Sequence, residues 1–284
     1  MRALGIDVGA GRKGLDLVLM DDSLVPAETH RRVPAAEVGA LIAATGADVV
    51  AIDCPPGWGF GSGTRRTERE LRTFGIQSFG TPTEDRGQGA FYDWIREGIK
   101  AFGAAAEAGY PRYGSGPVRN TAIEVFPHAS AVVLAGCLPP ANGSKRAFRE
   151  GVLRAQGVRV NGLRSADQVD AALAALTGLL ALNGRRTYLG DPAEGVIVLP
   201  VASLPARPYG RCRQDRRSQD VQLHFPGLAR CACGDPECRA STSGEFARGH
   251  DAKRKSALWT LARSGHEAVD ELRSRKWELP PEMR

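Results

Sequence analysis

Long apolar runs are missing from this chain. No stretch approaches the roughly 18 residues of a membrane span, so no membrane partner is expected. The first apolar run meets a charge at Asp7 before a signal-peptide core can form, so export is not expected and a cytoplasmic location is. Cysteine is scarce. Six are too few and too unevenly placed in 284 residues for a disulfide framework. Four of them (Cys212, Cys231, Cys233 and Cys238) crowd the C-terminal part, which reads as metal binding in a reducing compartment. Internal repeats and low-complexity tracts are absent.

What is present suffices for a sizeable core: 42% of residues are hydrophobic, enough for one large domain or two unequal ones. The net charge of +6 is lopsided, because the segment from Ala206 holds 16 of the 38 basic residues but only 11 of the 32 acidic ones. That basic segment fits nucleic-acid binding. Pro205 to Pro208 marks the expected boundary between a domain over 1–205 and a module over 206–284.

The first part reads as α/β. Apolar runs at 2–8 and 13–20, split by Gly9, Gly11 and Lys13, predict a hairpin. A helix over 35–45, a strand over 49–54 stopped by Pro55 and Pro56, and a Gly-rich loop over 57–63 at a site rim follow. The charged stretch 64–74 predicts a short exposed helix. A long helix over 88–109 places Phe91, Trp94, Ile95, Ile99 and Phe102 at helical spacing. A strand around Glu124, a helix from Pro127 and another over 145–156 come next. Ser165 and Gln168 form a capping-box pattern that opens a helix with Val169, Leu173, Leu176 and Leu180 as its apolar stripe. A last strand runs from Gly195 to Pro200.

The chemistry lies in the acids. Asp7 interrupts an apolar run before a glycine turn, Asp53 ends a second run, and Glu124 lies in a third. A carboxylate at the end of a buried strand is costly unless its charge is offset, and repetition of that cost suggests a shared cation. Asp167 and Asp170, three apart on one helix, project from neighbouring positions of one side. Clustered acids of this kind suit Mg²⁺ or Mn²⁺, which take oxygen ligands, and two such ions support phosphoryl transfer. Each acid has an ordinary alternative: Asp167 as a helix-dipole partner, Glu124 as an edge-strand residue, Asp53 as a turn former.

The order Gly5-Ile6-Asp7-Val8-Gly9, Ala51-Ile52-Asp53-Cys54-Pro55-Pro56, Ile123-Glu124-Val125-Phe126-Pro127 and Asp167-Gln168-Val169-Asp170 resembles a family of predicted RNase H-like nucleases. That family is distantly similar to Holliday-junction resolvases, and the resemblance spans about residues 2–200. It includes the Lys-centred stretch Ser144-Lys145-Arg146. The resemblance implies an RNase H-like mixed sheet flanked by helices and a metal site of Asp7, Asp53, Asp167 and Asp170 with Glu124 nearby. In a nuclease, Asp7 would bridge both ions, Asp53 and Asp170 would complete their shells, and Asp167 or Glu124 would orient water. Arg65, Arg69, Lys145 and Lys253 are candidate phosphate contacts, with a solvated basic face as the alternative. Resolvase-like relatives often pair, which leaves a homodimer open.

In the C-terminal module, Cys231, Cys233, Cys238 and His250 offer a tetrahedral structural zinc set, with Cys212 as a replacement ligand. Loop cysteines, with His250 capping a helix, are the alternative. The stretch Gly249-His250-Asp251-Ala252-Lys253, following a Cys-x-Cys-Gly segment, resembles a small prokaryotic module. The expected function is divalent-metal-dependent hydrolysis of phosphodiester bonds in DNA or RNA. Two alternatives stand beside it: a nucleic-acid-binding module whose acids do not catalyse, and an ATP-using phosphotransferase. The second rests on a likeness of Asp7–Gly11 to the first phosphate loop of actin-like ATPases and sugar kinases, with Gly190-Asp191 as a poor second loop.

Overall fold

The computed structural model describes residues 1–61 and 63–212. The proposed zinc ligands Cys231, Cys233, Cys238 and His250, and Lys253, lie outside the described residues.

The chain opens with the predicted hairpin, β1 (Arg2–Val8) and β2 (Leu15–Asp21), and continues into β3 (Pro26–Val33), α1 (Ala35–Thr45) and β4 (Val49–Asp53). Helices α2 (Arg66–Thr73) and α3 (Asp93–Glu107) precede β5 (Ala122–Glu124). Then come α4 (Pro127–Ala135), α5 (Lys145–Ala155), α6 (Ala166–Leu182) and a second hairpin, β6 (Thr187–Asp191) and β7 (Gly195–Leu199). The strands form one seven-stranded mixed sheet in the order β3-β2-β1-β4-β5-β7-β6. β1, β4, β5 and β7 run parallel, while β2 and β6 are antiparallel to their neighbours. This is the mixed α/β architecture expected from the sequence. Among the described residues no helix is long and apolar enough to cross a membrane.

Strand alternation divides the core in two. Ala3, Val18, Val49, Ala51 and Ile123 pack with α4, α5 and α6. Leu4, Ile6, Leu17, Val50 and Ile52 pack with α1 and α3 on the other face. The central helix α6 is buried over most of its circumference, which is why its apolar pattern exceeds a single stripe. Ser165 Oγ caps it by accepting from the Gln168 amide at 3.1 Å. The return bond of the expected box goes one residue upstream, Gln168 Oε1 accepting from the Arg164 amide at 2.7 Å.

Two glycines let α6 lie close on the sheet. A Cβ at Gly5 would stand 2.0 Å from the Ala171 carbonyl oxygen and 2.4 Å from the Ala175 nitrogen. One at Gly178 would meet Val49 at 2.9 Å and Ala3 at 3.1 Å. Gly5→Ala therefore forces helix and strand apart next to Asp7 and Asp170. The expected loss is about 1–3 kcal/mol in urea unfolding, the range for overpacking a close-fitted core.

Three sequence expectations need correction. The 64–74 helix is not simply exposed: Thr67, Glu68 and Leu71 are buried, because its acid and apolar positions serve the interior. Phe91 does not join the apolar stripe of the following helix. It precedes α3 in a short 3₁₀ turn and is 63% exposed. Cys212 is not a thiolate free for zinc, since it forms a disulfide with Cys137, 75 residues away. In the chain-entropy account, closing a loop of that length contributes about 4 kcal/mol. β3 and β6 went unforeseen because their residues (Glu28, Thr29, His30 and Arg31; Thr187 and Tyr188) do not alternate like a half-buried strand.

Candidate metal centre

Register alone sets Asp7 beside Asp53. In the parallel pairing of β1 and β4, Gly5 faces Ala51, Ile6 faces Ile52 and Asp7 faces Asp53. Both acids therefore end neighbouring strands and share the α6 face with Ala3, Gly5, Val49 and Ala51. The close approach of α6 at Gly5 brings Asp170, one residue before Ala171, over the same point. One carboxylate oxygen from each of Asp7, Asp53 and Asp170 lies within 4.8 Å of the others. Three segments far apart in sequence thus meet at the end of the sheet.

The arrangement is electrostatically unfavourable as it stands. Asp7 is only 8% exposed, and burial, followed by the charges of Asp170 and Asp167, pushes its carboxyl up to about 8. Burial and then Asp7 raise Asp53 well above the ordinary value. Burial raises Asp170 to about 6, although Arg149 pulls the other way. Arg149 Nη1 donates to Asp170 Oδ2, whereas Asp170 Oδ1 is buried with no hydrogen-bond partner among the described residues. An orphaned carboxylate oxygen among like charges is what a site for a hard cation provides. Asp7, Asp53 and Asp170 therefore fit a divalent ion bound by oxygen.

These shifts fix a pH dependence. A carboxylic acid raised in the folded state lends its stabilisation fully below its unfolded value, 3.8 for Asp7 and Asp170. It loses that stabilisation as pH climbs through the folded value, here about 6 for Asp170 and about 8 for Asp7. Metal-free protein held in chelator should lose thermal stability as pH rises across that window. Mn²⁺ affinity, measured by calorimetry, should rise over the same window as protons leave the ligands.

The other expected residues fall into different places. Asp167 is bound by Lys13, whose Nζ donates to its Oδ1 at 2.8 Å. Burial works against the charge of Lys13, but Asp167 overrides it and raises its pKa. Glu124 pairs in register with Ile52 and so belongs to the face that carries α1 and α3, not to that of Asp7 and Asp53. Arg65 Nη1 and Nη2 grip both its oxygens at 2.8 and 2.6 Å. Arg65 Nε donates to Glu68 at 3.0 Å. At 2% exposure, with its donors turned onto two glutamates, Arg65 presents no free fork to a phosphate. Arg69 and Lys145 are exposed.

Sequence reading did not single out Lys13, Asp16, His128 or Arg149. Asp16 lies directly opposite Asp7 on β2 and is buried, but its oxygens already accept from the Arg32 amide at 2.9 Å and Ser165 Oγ at 3.2 Å. Burial, then Arg149 and Lys145, lower His128 to about 4, so it is neutral at pH 7. Arg149 follows Lys145 by four residues, so helical periodicity could have flagged it once Lys145 was suspected.

The glycine turn after Asp7 uses its amides internally. Gly9 donates to the Gly14 carbonyl at 3.1 Å, Lys13 to Ala10 at 3.0 Å and Gly14 to Gly11 at 3.3 Å. Gly190, the other candidate phosphate-loop residue, donates its amide to Glu70 at 2.8 Å, an acidic neighbour that disfavours an anion.

Comparison with solved structures finds RuvC of T. thermophilus in complex with a Holliday junction substrate, at 19% identity and a TM-score of 0.34, covering 65% of this chain and 96% of that one. A second Thermus thermophilus RuvC structure matches at 17% identity and a TM-score of 0.33, covering 65% and 95%. No curated protein matches. A family model described as "protein of unknown function (DUF429)" matches residues 5–195, a range that contains all three clustered acids and the whole sheet except the start of β1 and all of β7 beyond Gly195. The chain belongs to that family.

Proposed function

We propose that this protein is an RNase H-like, divalent-metal-dependent nuclease that hydrolyses phosphodiester bonds at the Asp7–Asp53–Asp170 cluster. The observation that carries this reading is the convergence of these three acids, with the buried Asp170 Oδ1 left unpaired. Asp7, Asp53 and Asp170 would hold Mg²⁺ or Mn²⁺, which when bound polarises a phosphoryl oxygen and makes water a better nucleophile. Asp7 is the least exposed of the three that would hold the metal.

The remaining residues have supporting work. Lys13 holds Asp167 at the rim, where that carboxylate can orient water once a substrate is present. Arg149 fixes the orientation of Asp170 and keeps positive charge beside it. Exposed Lys145 and Arg69 are the remaining phosphate contacts on the described surface, joined in the proposal by Lys253. Glu124 and Arg65 take no part in the hydrolytic step and instead hold the wall behind Asp53. A structural zinc on Cys231, Cys233, Cys238 and His250, in a basic 206–284 module, completes the proposed organisation.

The test is cleavage of labelled single-stranded, duplex, hybrid and branched nucleic acids by the full chain with Mn²⁺, Mg²⁺ or chelator. Metal-dependent cleavage of any of them supports the reading. Binding without cleavage under every metal condition sinks it in favour of a non-catalytic binder.

A further inference from the structure

A cavity of about 340 Å³ opens beside Asp53, and nothing in the hydrolytic reading uses it. Its wall includes Phe79, Phe91, Trp94 and Phe126. Phe79 and Phe91 meet edge to face at 6.0 Å, yet they are 74% and 63% exposed, so their ring faces are not covered by the core. Large aromatic rings left open beside a charged cluster are unfavourable unless a ligand covers them. On the polar side the Arg65–Glu68–Glu124 network is satisfied within itself, Glu68 also accepting from the Thr81 amide at 2.9 Å. Ser78 also lines the cavity, but its Oγ is buried out of an occupant's reach and, among the described residues, has no hydrogen-bond partner.

Size and chemistry narrow the occupant. The volume is near the lower end for small-ligand cavities, roughly 300–1,000 Å³, which suits one heterocycle. The lining offers ring faces for stacking. Asp53 belongs both to this wall and to the acid cluster, so an occupant here adjoins whatever phosphate is held there.

We propose that this cavity receives one unstacked nucleobase of the strand under attack, stacked on Phe79 and Phe91. The proposal rests on the nuclease reading for its choice of ligand. It makes a nucleotide splayed out of its stack the preferred substrate, so single-stranded, mismatched or branched positions are favoured over uniform duplex, where extrusion carries an unstacking penalty.

The experiment compares a short single-stranded oligonucleotide with a copy abasic at one position. Both bind to the full chain in Ca²⁺, and cleavage in Mn²⁺ is followed in parallel. A 2-aminopurine at the variable position should lose fluorescence on binding, and removing the base should weaken binding about tenfold, the scale of one base–aromatic stack. The double variant Phe79→Ala/Phe91→Ala, altered only at exposed side chains, should bind both oligonucleotides equally and abolish the quench.

Equal affinity of the unmutated protein for intact and abasic strands overturns the pocket. If cleavage persists in that case, the nuclease reading stands. A base-dependent affinity that Phe79→Ala/Phe91→Ala removes, without cleavage in any metal, supports the pocket and sinks the hydrolytic reading. Failure to bind either strand overturns both.

Discussion

Asparagine in place of Asp7 should lower metal-dependent cleavage by more than about 100-fold, because even partners behind a metal ligand are typically worth 10–100-fold. The same change should make the metal-free protein more stable at pH 8, not less. Asp7 is buried beside Asp53 and Asp170, and its carboxyl is pushed up to about 8. Near that pH the native state must either hold a proton there or tolerate adjacent like charges. An amide of the same shape removes the conflict, as expected where an active site is kept at the expense of stability.

Opposite signs in the two readouts separate a metal ligand from a structural acid, whose loss would weaken both. Asp170→Asn should show the same loss of cleavage with a smaller gain in stability, because it strands the Arg149 charge. Thermal melts in chelator and Mn²⁺ titrations check both variants. Normal cleavage by Asp7→Asn would remove the acid cluster from the mechanism.

The largest effect on stability belongs to Arg65→Met. Arg65 is 2% exposed and stands between Glu68 and Glu124, which are 2% and 5% exposed. Buried ion pairs contribute little net stability when intact, but breaking one leaves an uncompensated charge and costs about 3–5 kcal/mol. For a domain of this size that is about 6–20 °C in Tm. The glutamates left behind would escape the penalty by taking protons, so the deficit of Arg65→Met should shrink as pH falls. Replacing all three residues together with apolar ones of similar volume should recover much of the loss. A drop of less than about 1 kcal/mol for Arg65→Met would show that the network is not an anchor for α2 and β5.

Asp7, Asp53 and Asp170 could be read from sequence because each breaks an apolar pattern that would otherwise stay buried, a mismatch visible within a few residues. Glu124 gives the same local signal with a different outcome. Which face it takes depends on its register with β4, and its partner Arg65 is 59 residues upstream, so neither fact is local. The pair Asp167 and Asp170 shows a similar limit. Spacing puts them on one side of α6, but it does not reveal that Asp167 is bound by Lys13 of the hairpin turn while Asp170 joins the cluster. The strands and helices of the interior were legible because burial imposes a period. β3 is polar at the sheet edge, and β6 is short and only partly buried, so neither carries that mark. The aromatic cavity was hidden for a related reason: at helical spacing, Phe91 and Trp94 look like one stripe, although a short 3₁₀ turn ends between them.

The bridge between Cys137 and Cys212 has a consequence for limited proteolysis. The peptide it encloses contains α5, α6, β6 and β7, and with them Asp170, while Asp7 and Asp53 lie outside it. A single nick between those two cysteines would leave both fragments covalently joined. Protein clipped there should run as one band until a reductant is added, and it can keep all three acids in a single molecule.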